Sequence, residues 1–196
     1  MARTIFDTPI LAPALRALSR AALRGLGWRV EGELSPRAER CVVIAAPHTS
    51  NWDLPYMLLA AFALRMRIHW LGKDTLFRAP FGAVMRWLGG IPVQRDRSNR
   101  VVASTVAALQ AAPGPLQLVV APEGTRSRTA QWKTGFHRIA CGANLPIQLS
   151  YLDWGGRRCG LGPLLDPRDD VDADLARIKA FYAPFRGRHV GQFDAG

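Results

Sequence analysis

The sequence predicts an α/β protein in which a mixed, mostly parallel sheet is flanked by helices. Three observations carry this. Short apolar runs such as Cys41–Ala46, Leu116–Ala121 and Leu145–Leu152 recur along the chain and read as buried strands. Between them lie segments of helical length, and strands that alternate with helices pair in parallel through crossovers. Pro/Gly clusters such as Gly89-Gly90 and Pro113-Gly114-Pro115 separate the pieces. With 196 residues and 48% hydrophobic content, the chain reads as one domain, 1–196, able to bury a substantial core.

Taken in order, the first helix is expected over Ile10–Gly25, within an amphipathic N-terminal segment, 1–27. Leu11, Leu15, Leu18, Ala22 and Leu26 mark an apolar face, and Arg16, Arg20 and Arg24 recur every four residues. Such a helix can lie in a membrane interface or pack on its own domain with its arginines in water. Trp28–Leu34 alternates weakly and suggests an edge strand before Cys41–Ala46. Ser50 or Asn51 is suited to cap a helix over Asn51–Arg65. Ile68–Leu71 reads as a strand and Pro80–Leu88 as a short helix with proline near its first turn. Gly89–Val93 is a short extended piece, and Ser98 or Asn99 caps a helix running to Ala112. After the Leu116–Ala121 strand come a helix over Phe136–Ala143 and the Leu145–Leu152 strand. Arg157–Leu165 is a further strand, and a charged helix over Asp170–Phe185 closes the fold.

The formal net charge is +11, and the only lysines are Lys73, Lys133 and Lys179. A charge of this sign favours phosphate, acidic proteins or an anionic membrane surface. Cys41, Cys141 and Cys159 are odd in number and irregularly spaced, which fits reduced core thiols with neither a disulfide framework nor a metal ligand set. No segment reaches the ~18–20 apolar residues of a membrane span. Asp7 and Pro9 interrupt the one apolar start that could resemble a secretory signal. The expectation is a cytoplasmic protein, peripheral on the inner face of the membrane. No zinc pattern, RNP-like aromatic strand or recognition helix is present, so no nucleic-acid partner is expected. The lack of G-x-S-x-G argues against a serine hydrolase.

His48-Thr49-Ser50-Asn51-Trp52-Asp53 follows a buried strand and enters a helix. His48 then sits at a strand end and Asp53 in a first helical turn, where the helix N-terminus favours a carboxylate. Ligands in open α/β sheets bind at strand carboxyl ends. If the turn folds Asp53 onto one imidazole nitrogen, the other is left as a base. Spacing alone is weak, because His69 and Asp74 repeat it; His69 lies inside an apolar strand and reads as structural. Two more loops share the strand-end placement. Glu123-Gly124-Thr125-Arg126 offers a tight turn, a hydroxyl and a forked donor suited to phosphate, and Arg95 adds a second guanidinium.

These blocks resemble the glycerolipid acyltransferases typified by lysophosphatidate acyltransferase. His48–Asp53 matches their H-x4-D block, and Gly89-Gly90-Ile91-Pro92-Val93-Gln94-Arg95 looks like their second. Pro122-Glu123-Gly124-Thr125-Arg126-Ser127 matches their P-E-G-T-R-S block, and Leu145-Pro146-Ile147 resembles the fourth. The resemblance implies that His48 deprotonates an acceptor hydroxyl while Asp53 orients it. The donor would be acyl-CoA or acyl-carrier protein as co-substrate, with no cofactor, metal or covalent acyl-enzyme. The acceptor would be a lysophospholipid, first of all 1-acyl-glycerol-3-phosphate. By the same resemblance Arg95, Glu123, Gly124, Thr125 and Arg126 would shape its phosphate site, with Lys133 and Gly135 as secondary candidates. Glu123 cannot favour a phosphate dianion and is expected to hold an arginine or a hydroxyl. Ala121 stands where the family usually has an aromatic residue, which bears on the acceptor. Another lysolipid, another hydroxylated lipid, or lipid binding without catalysis are the alternatives.

Overall fold

The computed structural model describes residues 4–8, 11–93 and 98–195. Its strands are β1 (Arg29–Glu31), β2 (Arg40–Ala46), β3 (Ile68–Lys73), β4 (Gly90–Val93), β5 (Leu116–Val120), β6 (Ile147–Asp153) and β7 (Arg158–Leu165). Its helices are α1 (Leu11–Gly25), α2 (Asp53–Ala63), α3 (Gly82–Trp87), α4 (Ser98–Ala111), α5 (Gly135–Ala143) and α6 (Val171–Tyr182). The strands form one sheet in the order β1-β7-β6-β2-β5-β3-β4. From β6 through β4 every neighbouring pair is parallel. Only β7 turns back antiparallel on β6, and β1 follows β7 in parallel. The tight Trp154–Arg157 turn permits nothing else, since parallel neighbours need a crossover of a dozen or more residues.

The sheet is covered on both faces. On one, Val42, Ile44, Leu118 and Leu149 pack with Leu109 of α4, Phe136 and Ile139 of α5 and Ile178 of α6. On the other, Val43, Val119, Ile68 and Trp70 meet Ala61 and Phe62 of α2. Because β2 is buried on both faces, it reads as a continuous apolar run rather than an alternation.

Three expectations change. Helix α2 begins at Asp53, with no side-chain cap at Trp52. The Asp53 carboxylate instead accepts the N–H groups of Thr49 and Ser50, while Ser50 Oγ takes that of Trp52, so Asn51 caps nothing. Helix α1 packs through Leu15, Ser19 and Leu23 and leaves Leu11, Leu18 and Leu26 at 37%, 63% and 50% exposure. The apolar stripe is therefore split between core and solvent, because contact with α2 selects a different helical face. Cys41 and Cys159 are buried free thiols as expected, but Cys141 is exposed. Helix α5 buries Phe136, His137, Ile139 and Ala140, and the next residue projects away from that face. Among the described residues, no helix is long and apolar enough to cross a membrane.

Candidate active site

Parallel pairing of β2, β5 and β6 brings three loops to one edge of the sheet: His48–Trp52, Pro122–Ser127 and the turn at Trp154. His48 Nδ1 stands 3.2 Å from Asp53 Oδ2. The Asp53 carboxylate is 4% exposed and fully engaged. Oδ2 accepts Thr49 N–H at 2.8 Å and Ser50 N–H at 2.9 Å, and Oδ1 accepts the Trp154 indole N–H at 2.9 Å. These partners are all uncharged. They fix the carboxylate without neutralising it, so its charge remains available to an imidazolium at His48. Held at Nδ1, the ring has Nε2 left for a proton transfer.

Glu123 plays a different part from the one expected. It is 3% exposed, and its carboxylate accepts the backbone N–H of His48, with oxygens at 3.0 and 3.2 Å. It holds the His48 loop from below, and among the described residues no arginine reaches it. Burial pushes its pKa up to about 8, the His48 N–H opposes that rise, and the Asp53 charge adds to it. Near neutral pH, Glu123 is thus largely protonated beside Asp53, which relieves repulsion between two adjacent carboxylates.

The P-E-G-T-R-S loop turns at Gly124, whose φ of +63° lies in the left-handed region. A Cβ at Gly124 would come within 2.9 Å of the Lys133 side chain, so the glycine lets that cation close on the loop. Lys133 is itself tied in by its N–H to Pro122 O at 2.8 Å. Thr125 Oγ1 accepts Ser127 N–H. Among the described residues Arg126 meets no carboxylate, whereas Arg128 pairs with Asp194 at 3.0 Å. Arg95 lies outside the described residues. Gly135 opens α5, where an added Cβ would meet Val102 at 4.0 Å. Pro146 accepts the Val42 N–H at the opposite, amino end of β6; the fourth block therefore supports the sheet, away from His48.

A cavity of about 520 Å³ lies beside the dyad, between α2 and the sheet. His48 and Asp53 lie at its polar end with Thr125, Arg126 and Ser127. The remainder is largely apolar, walled by residues such as Met57, Leu64, Ile68, Trp70, Val119 and Leu161. A long hydrocarbon chain would be desolvated there at roughly 0.8 kcal/mol per methylene.

Two contributors escaped the sequence reading. Trp154 occupies a turn, and its contact with Asp53 spans 101 residues; no local pattern announces it. The second is the C-terminal segment. There His189 N–H donates to Thr49 Oγ1, Trp154 N–H donates to Arg186 O, and the Arg188 guanidinium lies 4.7 Å over the Trp154 ring. A Cβ at Gly187 would meet Thr49 at 2.5 Å, so this strap fits closely against the His48 loop.

A family model described as Acyltransferase matches residues 27–149, which include the His48, Glu123 and Pro146 blocks. No curated protein matches the chain. Among solved structures, the chain is similar to the 1-acyl-sn-glycerophosphate (LPA) acyltransferase PlsC from Thermotoga maritima. The TM-score is 0.60 at 18% identity, over 90% of this chain and 82% of that one, a likeness of fold. With its four blocks in order and the family model covering well over half its length, this chain belongs to the acyltransferase family, that of the glycerolipid acyltransferases, and is an acyltransferase enzyme.

Proposed function

We propose that the enzyme transfers a fatty acyl group from acyl-CoA or acyl-carrier protein to a lysophospholipid hydroxyl. The preferred acceptor is 1-acyl-glycerol-3-phosphate, giving phosphatidate at the inner face of the membrane. The observation that carries this reading is the His48–Asp53 pair at 3.2 Å at the polar end of an apolar cavity. The acyl chain lies in the cavity and its thioester reaches His48. His48 Nε2 takes the acceptor's hydroxyl proton as the oxygen attacks the thioester carbonyl. Collapse of the tetrahedral intermediate breaks the C–S bond, and the departing thiolate receives the proton from the imidazolium. Asp53 stabilises that imidazolium. General base catalysis of this kind is typically worth ~10²–10⁴-fold. The sequence calls for no cofactor or metal in this reaction.

Arg126, Thr125 and Lys133, with Arg95 by resemblance, hold the acceptor phosphate. Glu123 acts by positioning the His48 backbone. The test is acyl transfer from labelled acyl-CoA and acyl-carrier protein to a panel of lysolipids, repeated with Arg126→Ala. A charge-assisted contact is worth roughly 1.5–3 kcal/mol, so acceptor KM should rise about ten- to a hundredfold at unchanged donor KM. Arg126→Lys should recover part of the loss, since a point charge lacks the forked geometry. A rise in donor KM instead would assign the loop to the donor's phosphates. Indifference of both would favour an unphosphorylated acceptor.

A further inference from the structure

We propose that the segment from Lys73 to Trp87 docks this enzyme on an anionic lipid bilayer, with Phe81, Val84 and Trp87 entering the interface. The proposal rests on the reading above only for its consequence, the delivery of a lipid to His48.

Beyond β3 the chain makes a 3₁₀ turn at Asp74–Phe77 and then α3. Phe81, Val84 and Trp87 are 67%, 47% and 45% exposed, and Leu76 is 43% exposed. Scattered single apolar residues need no explanation, but four within twelve positions, two of them aromatic, do. Phe81, Val84 and Trp87 recur every third residue and so share one face of the helix.

That face cannot rotate inward. A Cβ at Gly82 would fall 2.0 Å from Phe77 O, and one at Gly90 would fall 2.7 Å from the Phe77 ring. Phe77 is itself buried and packs on Trp70 at 5.8 Å between ring centroids. The turn is thus locked from below, and its apolar face is presented outward by construction.

Charge selects the occupant. Lys73, Arg78 and Arg86 are exposed around the patch, and none pairs with a carboxylate among the described residues. Arg86 lies 5.5 Å over the Phe77 ring and donates from Nη1 to Phe77 O at 3.4 Å, its side chain still exposed. Asp74 is the one acid of the segment. Aromatic residues flanked by unpaired cations suit the headgroup region of an anionic bilayer.

Position agrees. Lys73, Thr75 and Leu76 line the same cavity as His48, so the patch borders the acyl site. A lipid leaving the bilayer there would enter the cavity without exposing its chain to water. Helix α1 is a poorer candidate: its exposed leucines, Leu11, Leu18 and Leu26, are spread along the helix and include no aromatic.

The experiment is sedimentation of the full chain with phosphatidylcholine vesicles containing phosphatidylglycerol, compared with pure phosphatidylcholine. Phe81→Ser/Trp87→Ser should lower the partition coefficient at least about tenfold at an unchanged Tm. Phe81→Ser alone should give an intermediate value. Arg78→Gln/Arg86→Gln should weaken binding to the anionic vesicles alone, and the difference should vanish in high salt. Turnover of a short-chain, water-soluble substrate pair should be unaffected by Phe81→Ser/Trp87→Ser, while turnover of a vesicle-borne acceptor falls with binding.

Wild-type partition by the folded aromatic variant would overturn the proposal. So would loss of binding in Arg16→Gln/Arg20→Gln/Arg24→Gln with none in the aromatic variant, which would assign the surface to α1. A wild-type dimer that Phe81→Ser/Trp87→Ser converts to monomer would make the patch a subunit interface and also overturn it. His48→Ala should bind vesicles as the wild type does, so docking and acyl transfer fail independently.

Discussion

Two histidines stand 3.2 Å from a carboxylate in this protein: His48 from Asp53 and His137 from Asp174. Distance does not distinguish them; access and the carboxylate's other partners do. The His48 side chain is 29% exposed and that of His137 is 6% exposed. Asp53 accepts only neutral N–H groups. Asp174 is collared by the Arg168 N–H at 2.7 Å and by the guanidinium groups of Arg168 at 3.4 Å and Arg177 at 3.5 Å. Burial alone would raise the Asp174 pKa, but these donors and His137 outweigh it and hold the carboxyl below its usual range. Its charge is shared with the two arginines, and the His137 ring is sealed from solvent. Cys141 Sγ lies 3.6 Å from His137 Nδ1, completing the outline of a Cys-His-Asp set. Yet burial, then Asp169 and Asp174, push that thiol up, away from the thiolate a nucleophile needs. One pair opens onto the cavity, and the other ties α5 to α6.

The largest expected effect separates the pairs by kind of damage. His48→Ala should lower kcat by ~10²–10⁴-fold with Tm little changed. His137→Ala should leave kcat per folded molecule intact and lower Tm. A folded His48→Ala enzyme with near-native kcat would remove the basis for the contrast.

Asp174→Ala should cost about 1–3 kcal/mol of stability, because it leaves the buried His137 ring and the Arg168 N–H without their acceptor, and denaturant unfolding measures this. The sign of its pH dependence follows from the depressed pKa. Asp174 stabilises the fold above the ordinary carboxylate range, and that contribution fades as pH falls through its lowered value. The variant should therefore lose less stability than the wild type on acidification.

Trp154→Phe keeps the packing on Trp28 and Tyr56 and removes one donor to the Asp53 charge, a contact worth roughly 1.5–3 kcal/mol. We expect kcat to fall about tenfold, with a shifted acidic limb of the kcat–pH profile and unchanged acceptor KM. A fall in stability with no change in that profile would make Trp154 packing alone.

The smallest effect concerns Glu123. An acid whose folded pKa is raised binds more protons folded than unfolded between its ordinary value of 4.5 and about 8. The wild type should thus lose stability as pH rises across that window. Glu123→Gln, which still accepts the His48 N–H, should flatten the curve. A wild-type curve that is already flat there would show that Glu123 ionises normally.

The contrast also shows what sequence could and could not see. His48 and Asp53 have four residues between them on a single strand-loop-helix unit, so a short motif records their meeting. His69 and Asp74 carry the same spacing, but β3 continues through Lys73, and the half-buried His69 has both ring nitrogens shielded from solvent and without a hydrogen bond among the described residues. Reading His69 as structural needed only the apolar run around it. His137 and Asp174 are 37 residues apart, and no spacing rule joins them.

By itself the sequence determined the alternation of strands and helices, the His48–Asp53 loop at the end of β2 and the Glu123–Arg126 loop at the end of β5. Those follow from local hydrophobic period, turn residues and short motifs, which act over a few positions. Tertiary structure decided the rest. The strand order β7-β6-β2-β5 brought Trp154 to Asp53 and Glu123 beneath His48, and packing on α2 chose which face of α1 to bury. It also left α3 outside, locked on Phe77 with its aromatic face uncovered. Each of these depends on contacts between residues far apart in the chain, whose energies are set by which surfaces meet and not by any local pattern.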